Sequence, residues 1–197
     1  MASSLEEIPD MSPDTEVREA AEAPSVIGVV AESNSAENRV AATPATVAKL
    51  IGLGYRVVVE AGAGTRAEFA DASYAEAGAE MVDGDTAWSS DVVMKVAVPT
   101  EAEVGRLRSG ATLVSLLAPA QNERLLTLLT ERGVTALAMD AVPRISRAQS
   151  MDVLSSMANI AGYRAVIEAA HHFGRFFNGQ VTAAGKVPPA KVLVAGA

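Results

Sequence analysis

The residue types best suited to chemistry follow Pro143, where a basic and polar loop leads into a long helical pattern. The polar residues of this segment are Arg144, Gln149, Ser150, Asp152, Ser155, Ser156 and Asn159. Those on the helix recur at i, i+3, i+4 and i+7 and therefore share one face. Such a face beside basic side chains offers donors and the positive end of the helix dipole to an anionic ligand. Ser and Asp at a helix start also act as plain caps, which is the commoner cause of the pattern.

A second candidate lies at the end of the sequence. The apolar strand pattern Lys191-Val192-Leu193-Val194 runs into Ala195-Gly196-Ala197. A dinucleotide-binding βαβ unit opens in this way, because glycine lets the backbone approach the pyrophosphate. An ordinary strand end would look the same. Gly196 is therefore a candidate nucleotide-binding residue, but the strand and glycine alone are weak support.

Three other features suggest little specific chemistry. Lys95 lies inside an apolar strand pattern, where its charge must be paired, face a ligand or reach out from the strand end. His171 and His172 have no Cys or carboxylate partners at metal-ligand spacing, so the sequence predicts no metal site. Gly62-Ala63-Gly64 lacks the Lys and Ser/Thr of a phosphate-binding loop and is interpreted as a turn.

Composition excludes several classes of protein. The 197 residues include no cysteine, which rules out a disulfide framework, thiolate metal sites and Cys catalysis. The formal charge of −8 argues against a nucleic-acid-binding protein. Residues 1–24 hold seven acids and one base, and we expect them to form a disordered acidic leader. The longest apolar runs are far shorter than the roughly 18 residues that a membrane span needs.

Strand and helix patterns alternate from residue 25 to residue 139. The predicted strands cover residues 26–31, 56–60, 80–82, 91–98, 112–117 and 134–139. The predicted helices cover residues 44–53, 74–77, 101–108 and 122–131, with Thr43 as the cap of the first. This alternation predicts an α/β fold with an open, doubly wound, mainly parallel sheet.

The pattern then becomes one long helix that reaches about residue 177. Apolar residues at three- and four-residue spacing predict a buried stripe on it: Leu154, Met157, Ala158, Ala161, Ala165 and Ala169. We therefore expect a leader (1–24), an N-terminal α/β domain (25–143), a loop with a long connecting helix (144–179), and the start of a Rossmann domain (180–197).

Three stretches carry a resemblance to a known family. Residues 37–44, Glu-Asn-Arg-Val-Ala-Ala-Thr-Pro, resemble the N-terminal signature of the alanine dehydrogenase and nicotinamide nucleotide transhydrogenase superfamily. Residues 143–152, Pro-Arg-Ile-Ser-Arg-Ala-Gln-Ser-Met-Asp, are more specific and resemble the alpha subunit of proton-translocating NAD(P) transhydrogenases. Residues 182–191 extend the match, which covers nearly everything from residue 26 to residue 197.

The resemblance implies a concrete function. The family's alpha subunit binds NAD(H) and exchanges a hydride with NADP(H) on a partner domain, coupled to proton translocation through a membrane domain. It implies that Arg144, Gln149, Asp152 and Ser155 border the NAD(H) nicotinamide, with Gln149 near the second nucleotide, and this favours the ligand interpretation over the cap. It also implies a homodimer, held at the cytoplasmic face of the membrane by its partner domains or subunits.

Departures from the family pattern leave alternatives open. The family's Pro-Lys-Glu is replaced by Val30-Ala31-Glu32, and Ser115-Leu116-Leu117-Ala118-Pro119 lacks the catalytic His that alanine dehydrogenases place near this strand. Lys95 and Arg39 nevertheless match positions that bind the keto acid in those enzymes. The family's chain continues through a complete dinucleotide-binding domain. The first two departures argue against amino-acid dehydrogenase chemistry. The alternatives are an alanine dehydrogenase-like oxidoreductase and a non-catalytic protein, which would be either a truncated fragment or a stand-alone partner-binding domain.

Overall fold

The computed structural model describes residues 25–196, which form two compact units. The first unit contains the described residues up to Ser115 together with Asn122–Leu137. The second contains Leu116–Gln121 and the residues from Ala138 onward. The predicted acidic leader, residues 1–24, lies outside the described residues.

A six-stranded sheet has the order β3-β2-β1-β4-β5-β6. Its strands are β1 (Val26–Val29), β2 (Arg56–Glu60), β3 (Glu80–Val82), β4 (Val92–Met94), β5 (Thr112–Ser115) and β6 (Thr135–Ala138). The pairs β1–β2, β1–β4, β2–β3 and β4–β5 are parallel, which confirms the predicted α/β class. The strand order reverses between β1 and β4, so this is the topological switch point of the sheet.

Five helices belong to the first unit: α1 (Pro44–Gly52), α2 (Asp71–Glu76), α3 (Gly84–Trp88), α4 (Glu101–Arg106) and α5 (Glu123–Arg132). Thr43 caps α1 as predicted, since its side chain accepts a hydrogen bond from the Thr46 backbone N–H. The sequence patterns do not predict α3, because five residues are too few to show a helical period. Asp83 caps α3 by accepting a 2.8 Å bond from the Thr86 N–H.

The centre of the first unit is a set of valines on β1, β2 and β4. Val29, Val57, Val59 and Val93 are fully or almost fully buried, as expected for parallel strands covered on both faces. The predicted strand 91–98 is shorter in the structure, because the chain leaves the sheet after Met94.

Helix α3 lies directly on β1 at Gly28. A Cβ atom at this position would stand 2.2 Å from the Ala87 carbonyl oxygen and 2.6 Å from Ser90 Oγ. Only glycine therefore permits this helix to approach the strand so closely. The close packing also buries Trp88, the single tryptophan of the chain, to 1% exposure.

The second unit contains α6 (Val153–His172) and an antiparallel hairpin of β7 (Gln180–Thr182) and β8 (Gly185–Val187). The predicted long helix is confirmed but ends at His172, short of residue 177. The predicted buried stripe is wrong for this chain, because no residue of α6 is buried. The sequence patterns do not predict the hairpin.

The predicted strand at residues 191–194 does not form in the structure. These residues carry no strand pairing within the described part of the chain, and Leu193 is 94% exposed. A strand is stabilised by hydrogen bonds to a neighbouring strand. Among residues 25–196, no helix is long and apolar enough to cross a membrane.

We predict that Gly28→Ala lowers the free energy of unfolding of the first unit by about 1–3 kcal/mol, the usual effect of overpacking. The reason is the contact of the new methyl group with the Ala87 carbonyl and Ser90 Oγ. Urea unfolding followed by Trp88 fluorescence measures the change.

The matched control is Gly52→Ala, because Gly52 is helical and nothing lies within 4 Å of the added Cβ. Its stability should be unchanged or slightly higher. Equal losses of stability in both variants would contradict close packing at Gly28.

Candidate functional site

The candidate site residues predicted after Pro143 lie together along one stretch of the second unit. Arg144 precedes a 3-10 helix, Ser146–Met151, which contains Gln149. Asp152 is the N-cap of α6, and Ser155 lies in the first turn of this helix. Arg144, Gln149 and Ser155 are exposed and Asp152 is half-buried, so these side chains remain accessible to a ligand.

Asp152 makes a two-point cap at the start of α6. One carboxylate oxygen accepts a 2.9 Å bond from the Ser155 N–H and the other accepts a 2.6 Å bond from Ser155 Oγ. The Ser155 side-chain and backbone bonds, together with the nearby positive charge of Arg144, lower the pKa of Asp152. The structure therefore brings Arg144, Asp152 and Ser155 together, and the capping role considered for Asp152 is confirmed.

Gln149 and Gly196 have less support in the geometry. Gln149 accepts a 3.2 Å bond from the Asp152 N–H through its backbone carbonyl. Gly196 has a φ of +84°, a backbone conformation that glycine adopts easily and that a tight nucleotide-binding turn requires. Within residues 25–196, no hydrogen bond or ion pair joins Gly196 to the other four candidates.

Asp140 holds the loop that follows β5, where the sequence Leu116-Leu117-Ala118 contains no histidine. Its carboxylate accepts bonds from the Leu117 N–H at 3.0 Å and the Ala118 N–H at 2.6 Å. Ala118 has a φ of +44°, an unusual conformation for alanine. This loop contains no histidine, because the two histidines of the chain, His171 and His172, lie at the end of α6.

A charged cluster in the first unit was missed by the sequence patterns, which left Lys95 without an assigned partner. Lys95 Nζ lies 2.7 Å from Glu32 Oε2 and 3.3 Å from Glu103 Oε1. The three side chains are only 1%, 2% and 9% exposed, in the order Lys95, Glu32, Glu103. The sequence signal was present: Glu32 and Lys95 each follow an apolar strand, and parallel strands end at the same edge of a sheet.

Glu103 also forms a capping box with Thr100 at the start of α4. Its carboxylate accepts bonds from the Thr100 N–H at 2.7 Å and from Thr100 Oγ1 at 3.1 Å, while its own N–H donates to Thr100 Oγ1. Burial would raise the pKa of Glu103, but the bonds from Thr100, the charge of Lys95 and a bond with Ser33 outweigh it. The pKa of Glu103 is therefore lowered, and the group is ionised at neutral pH.

The described residues contain no group of three or more His, Asp or Glu side chains arranged to hold a metal ion. His171 and His172 stack edge to face on α6, and His172 bonds to the Glu168 backbone carbonyl. In the cluster around Lys95, the two carboxylates are paired with the Lys95 ammonium group.

Comparison with family models identifies the chain. Residues 28–161 match the model described as "Alanine dehydrogenase/PNT, N-terminal domain". Residues 165–197 match the model described as "Alanine dehydrogenase/PNT, C-terminal domain". The chain belongs to the alanine dehydrogenase/PNT family. The boundary between the two matches falls inside α6.

Members of the alanine dehydrogenase/PNT family that resemble this chain are longer than it. The chain is 56% identical over 172 residues to the NAD(P) transhydrogenase subunit alpha of Haemophilus influenzae, covering 87% of this chain and 34% of the relative. It is 35% identical to an alanine dehydrogenase of Mycolicibacterium smegmatis, covering 87% and 47%. A solved transhydrogenase from Sinorhizobium meliloti has a TM-score of 0.80 and 44% identity, covering 84% and 50%. The chain thus spans a third to a half of these relatives.

We predict that Asp152→Ala increases amide hydrogen exchange at Ser155 several-fold, because the N–H loses the acceptor that caps α6. Asp152→Asn should keep most of the protection, since the amide oxygen can still accept the bond. Exchange measured by NMR distinguishes the two variants. If Asp152→Ala left exchange at Ser155 unchanged, the cap would not protect this amide.

Proposed function

We propose that this chain forms the first part of the NAD(H)-binding subunit of a proton-translocating NAD(P) transhydrogenase. In the complete complex this subunit would take part in direct hydride transfer between NAD(H) and NADP(H). The observation that carries the proposal is the match of nearly all described residues to transhydrogenase alpha subunits at 46–59% identity, against 35% for an alanine dehydrogenase.

The site proposed for NAD(H) consists of Arg144, Gln149, Asp152, Ser155 and Gly196. Gly196 has the backbone conformation that a pyrophosphate-binding turn requires. Arg144 is an exposed donor beside the N-terminus of a 20-residue helix, where an anionic or polar group is stabilised. The exposed Ser155 hydroxyl donates its proton to Asp152 and offers its oxygen as an acceptor. These properties fit a dinucleotide, although the carboxylate of Asp152 is already engaged by Ser155.

Hydride transfer between two nicotinamide rings would need no side-chain acid or base from these residues. The nicotinamide supplies the hydride, and the protein orients the ring and excludes water. Asp152 would keep the Ser155 hydroxyl fixed in direction through its 2.6 Å bond. Arg144 would provide positive charge next to this pair, and Gln149 would contact the second nucleotide.

The partners and location belong to the same proposal. NADP(H) and the proton channel would reside on separate domains or subunits, and a homodimer of this subunit would lie at the cytoplasmic face of the membrane. The 197-residue chain alone would be inactive and would bind NAD(H) weakly or not at all. It spans only 34% of the Haemophilus influenzae subunit, so most of that relative has no counterpart in it.

The second candidate function is an NAD-dependent oxidoreductase similar to alanine dehydrogenase. Its support is the 35% identity to an alanine dehydrogenase and the match of Lys95 to a keto-acid position. The Lys95 side chain, however, is 1% exposed and paired with Glu32 and Glu103. The loop Leu116-Leu117-Ala118 also argues against this function, because it contains no histidine where alanine dehydrogenases have their catalytic acid–base. Pyruvate-dependent oxidation of NADH by an extended chain would support this alternative over transhydrogenation.

We predict that the 197-residue chain shows no micromolar binding of NADH in a fluorescence titration. The reason is that a full dinucleotide site needs the remaining glycines of the turn and an adenosine pocket. Binding with a micromolar Kd would contradict this prediction.

We further predict that Gln149→Ala lowers the rate of hydride transfer at least 10-fold in a fusion of residues 1–197 to the remaining part of the Haemophilus influenzae subunit, assayed with its partner subunit. The variant lacks the side-chain amide proposed to contact the second nucleotide, and this loss would disturb the alignment of the two rings. The Kd for NADH should change little. Gln121→Ala, an exposed glutamine of the same unit, is the matched control and should retain full activity. Equal activity of the two variants would argue against a role for Gln149.

A further inference from the structure

The cluster of Lys95, Glu32 and Glu103 stands at the topological switch point of the sheet. Lys95 follows directly after β4, and Glu32 lies three residues beyond the end of β1. These two strands are neighbours where the strand order reverses. In open α/β sheets the crevice outside these strand ends is the usual place for a ligand. Here the protein's own charged side chains occupy it.

The cluster has an excess of negative charge. One ammonium group faces two carboxylates, and all three side chains are more than nine-tenths buried. Burying an unpaired charge is expensive unless hydrogen bonds satisfy it. The surplus charge of this cluster must therefore be stabilised by backbone groups.

Backbone N–H groups of the β4–α4 loop supply these bonds. Glu32 accepts from the Val96 N–H at 2.6 Å and from the Ala97 N–H at 3.2 Å. Glu103 accepts from the Thr100 N–H at 2.7 Å. The two carboxylates therefore fix the path of residues 95–100, and they bind this loop to the end of β1 on one side and to α4 on the other.

Other charged groups around the cluster belong to the loops that follow β1 and β2. Arg66 donates to the backbone carbonyls of Glu32 and Asn34. Arg39 acts on Glu32 through its charge, and Arg39 is itself neutralised by Glu37 through bonds of 2.6 and 2.8 Å. The first unit is thus held at this edge by charged side chains from α4 and from the loops that follow β1, β2 and β4.

We propose that Glu32, Lys95 and Glu103 form an acid-sensitive latch, which ties α4 and the β4–α4 loop to β1 while Glu103 is ionised and releases α4 when Glu103 is protonated. The latch is independent of the proposed nucleotide function, since it lies in the first unit and uses none of the candidate nucleotide-binding residues.

The direction of the pH effect follows from the protonation states. A carboxylate whose pKa is lower in the folded than in the unfolded chain, such as Glu103, stabilises the fold above its ordinary pKa. That stabilisation is lost as the pH falls through the folded pKa. Without Lys95, the buried Glu103 carboxylate would face Glu32 with no cation between them, and the pKa of Glu103 would rise. Acidification would then stabilise the fold, so the sign of the pH dependence would invert.

The experiment uses the 197-residue chain and its single tryptophan. Trp88 is buried in the first unit, and the guanidinium of Arg106 lies 5.3 Å from the centre of its ring. Arg106 and Glu103 are both on α4, so Trp88 emission reports both release of α4 and unfolding. Urea midpoints are measured from pH 8 to pH 3 in 0.5 M NaCl, which screens exposed ion pairs.

In the wild-type chain the urea midpoint should fall as the pH drops below about 5, the upper end of ordinary carboxylate titration. In Glu103→Gln the urea midpoint should fall less steeply. The pH slope of its unfolding free energy should correspond to roughly 0.5–1 fewer protons taken up on unfolding. In Lys95→Met the urea midpoint should rise as the pH falls from 8 to 5. If this variant shows no urea transition, its native Trp88 emission should rise over the same pH range.

Glu101→Gln is the matched control, because Glu101 lies on the same turn of α4 but is exposed and pairs with Arg124. Its pH slope should stay within about 0.2 proton of the wild type, as expected for a screened surface pair. The proposal is overturned if Glu103→Gln keeps the wild-type slope, or if Lys95→Met loses native emission steadily on acidification or shows none at any pH.

Discussion

The first unit depends on a buried lysine held between two carboxylates. Removing one member of such a cluster generally destabilises a protein by about 3–5 kcal/mol, because the remaining charge is left uncompensated. Lys95 therefore cannot leave the switch point of the sheet without Glu32 and Glu103 losing their cation. Since these carboxylates also accept hydrogen bonds from the N–H groups of Val96, Ala97 and Thr100, the course of the chain from β4 to α4 follows from this ionic arrangement.

In the second unit, by contrast, the main helix is exposed. Its 20-residue helix α6 has no buried residue, and Tyr163 and Ile160 are 70% and 58% exposed. A helix with apolar residues on all sides is typical of a protein interior. The family relatives are two to three times as long as the part that this chain matches, and the C-terminal family model begins within α6. The exposed surface is thus in keeping with the chain's partial coverage of its family.

One acidic residue illustrates why a pattern of polar residues at a helix start is ambiguous. Asp152 accepts a hydrogen bond from the Ser155 backbone N–H of α6, and a second bond from Ser155 Oγ fixes this hydroxyl at the helix start. A cap and a binding residue need the same residue types at the same spacing. The composition of the segment could not separate the two roles, and the family membership is what favours the second.

The sequence by itself determined the α/β class, the parallel sheet and most helices of the first unit, because these depend on local apolar periodicity and on caps such as Thr43. It also determined the family, through residues 143–152. Only the tertiary structure decided which charges meet. Glu32 and Lys95 each follow an apolar strand but are 63 residues apart in sequence, and the strand order that makes β1 and β4 neighbours brings them together. The exposure of α6 and the absence of a strand at residues 191–194 were likewise tertiary outcomes. Burial and strand pairing require partner surfaces, and a residue pattern predicts a preference for such surfaces without supplying them.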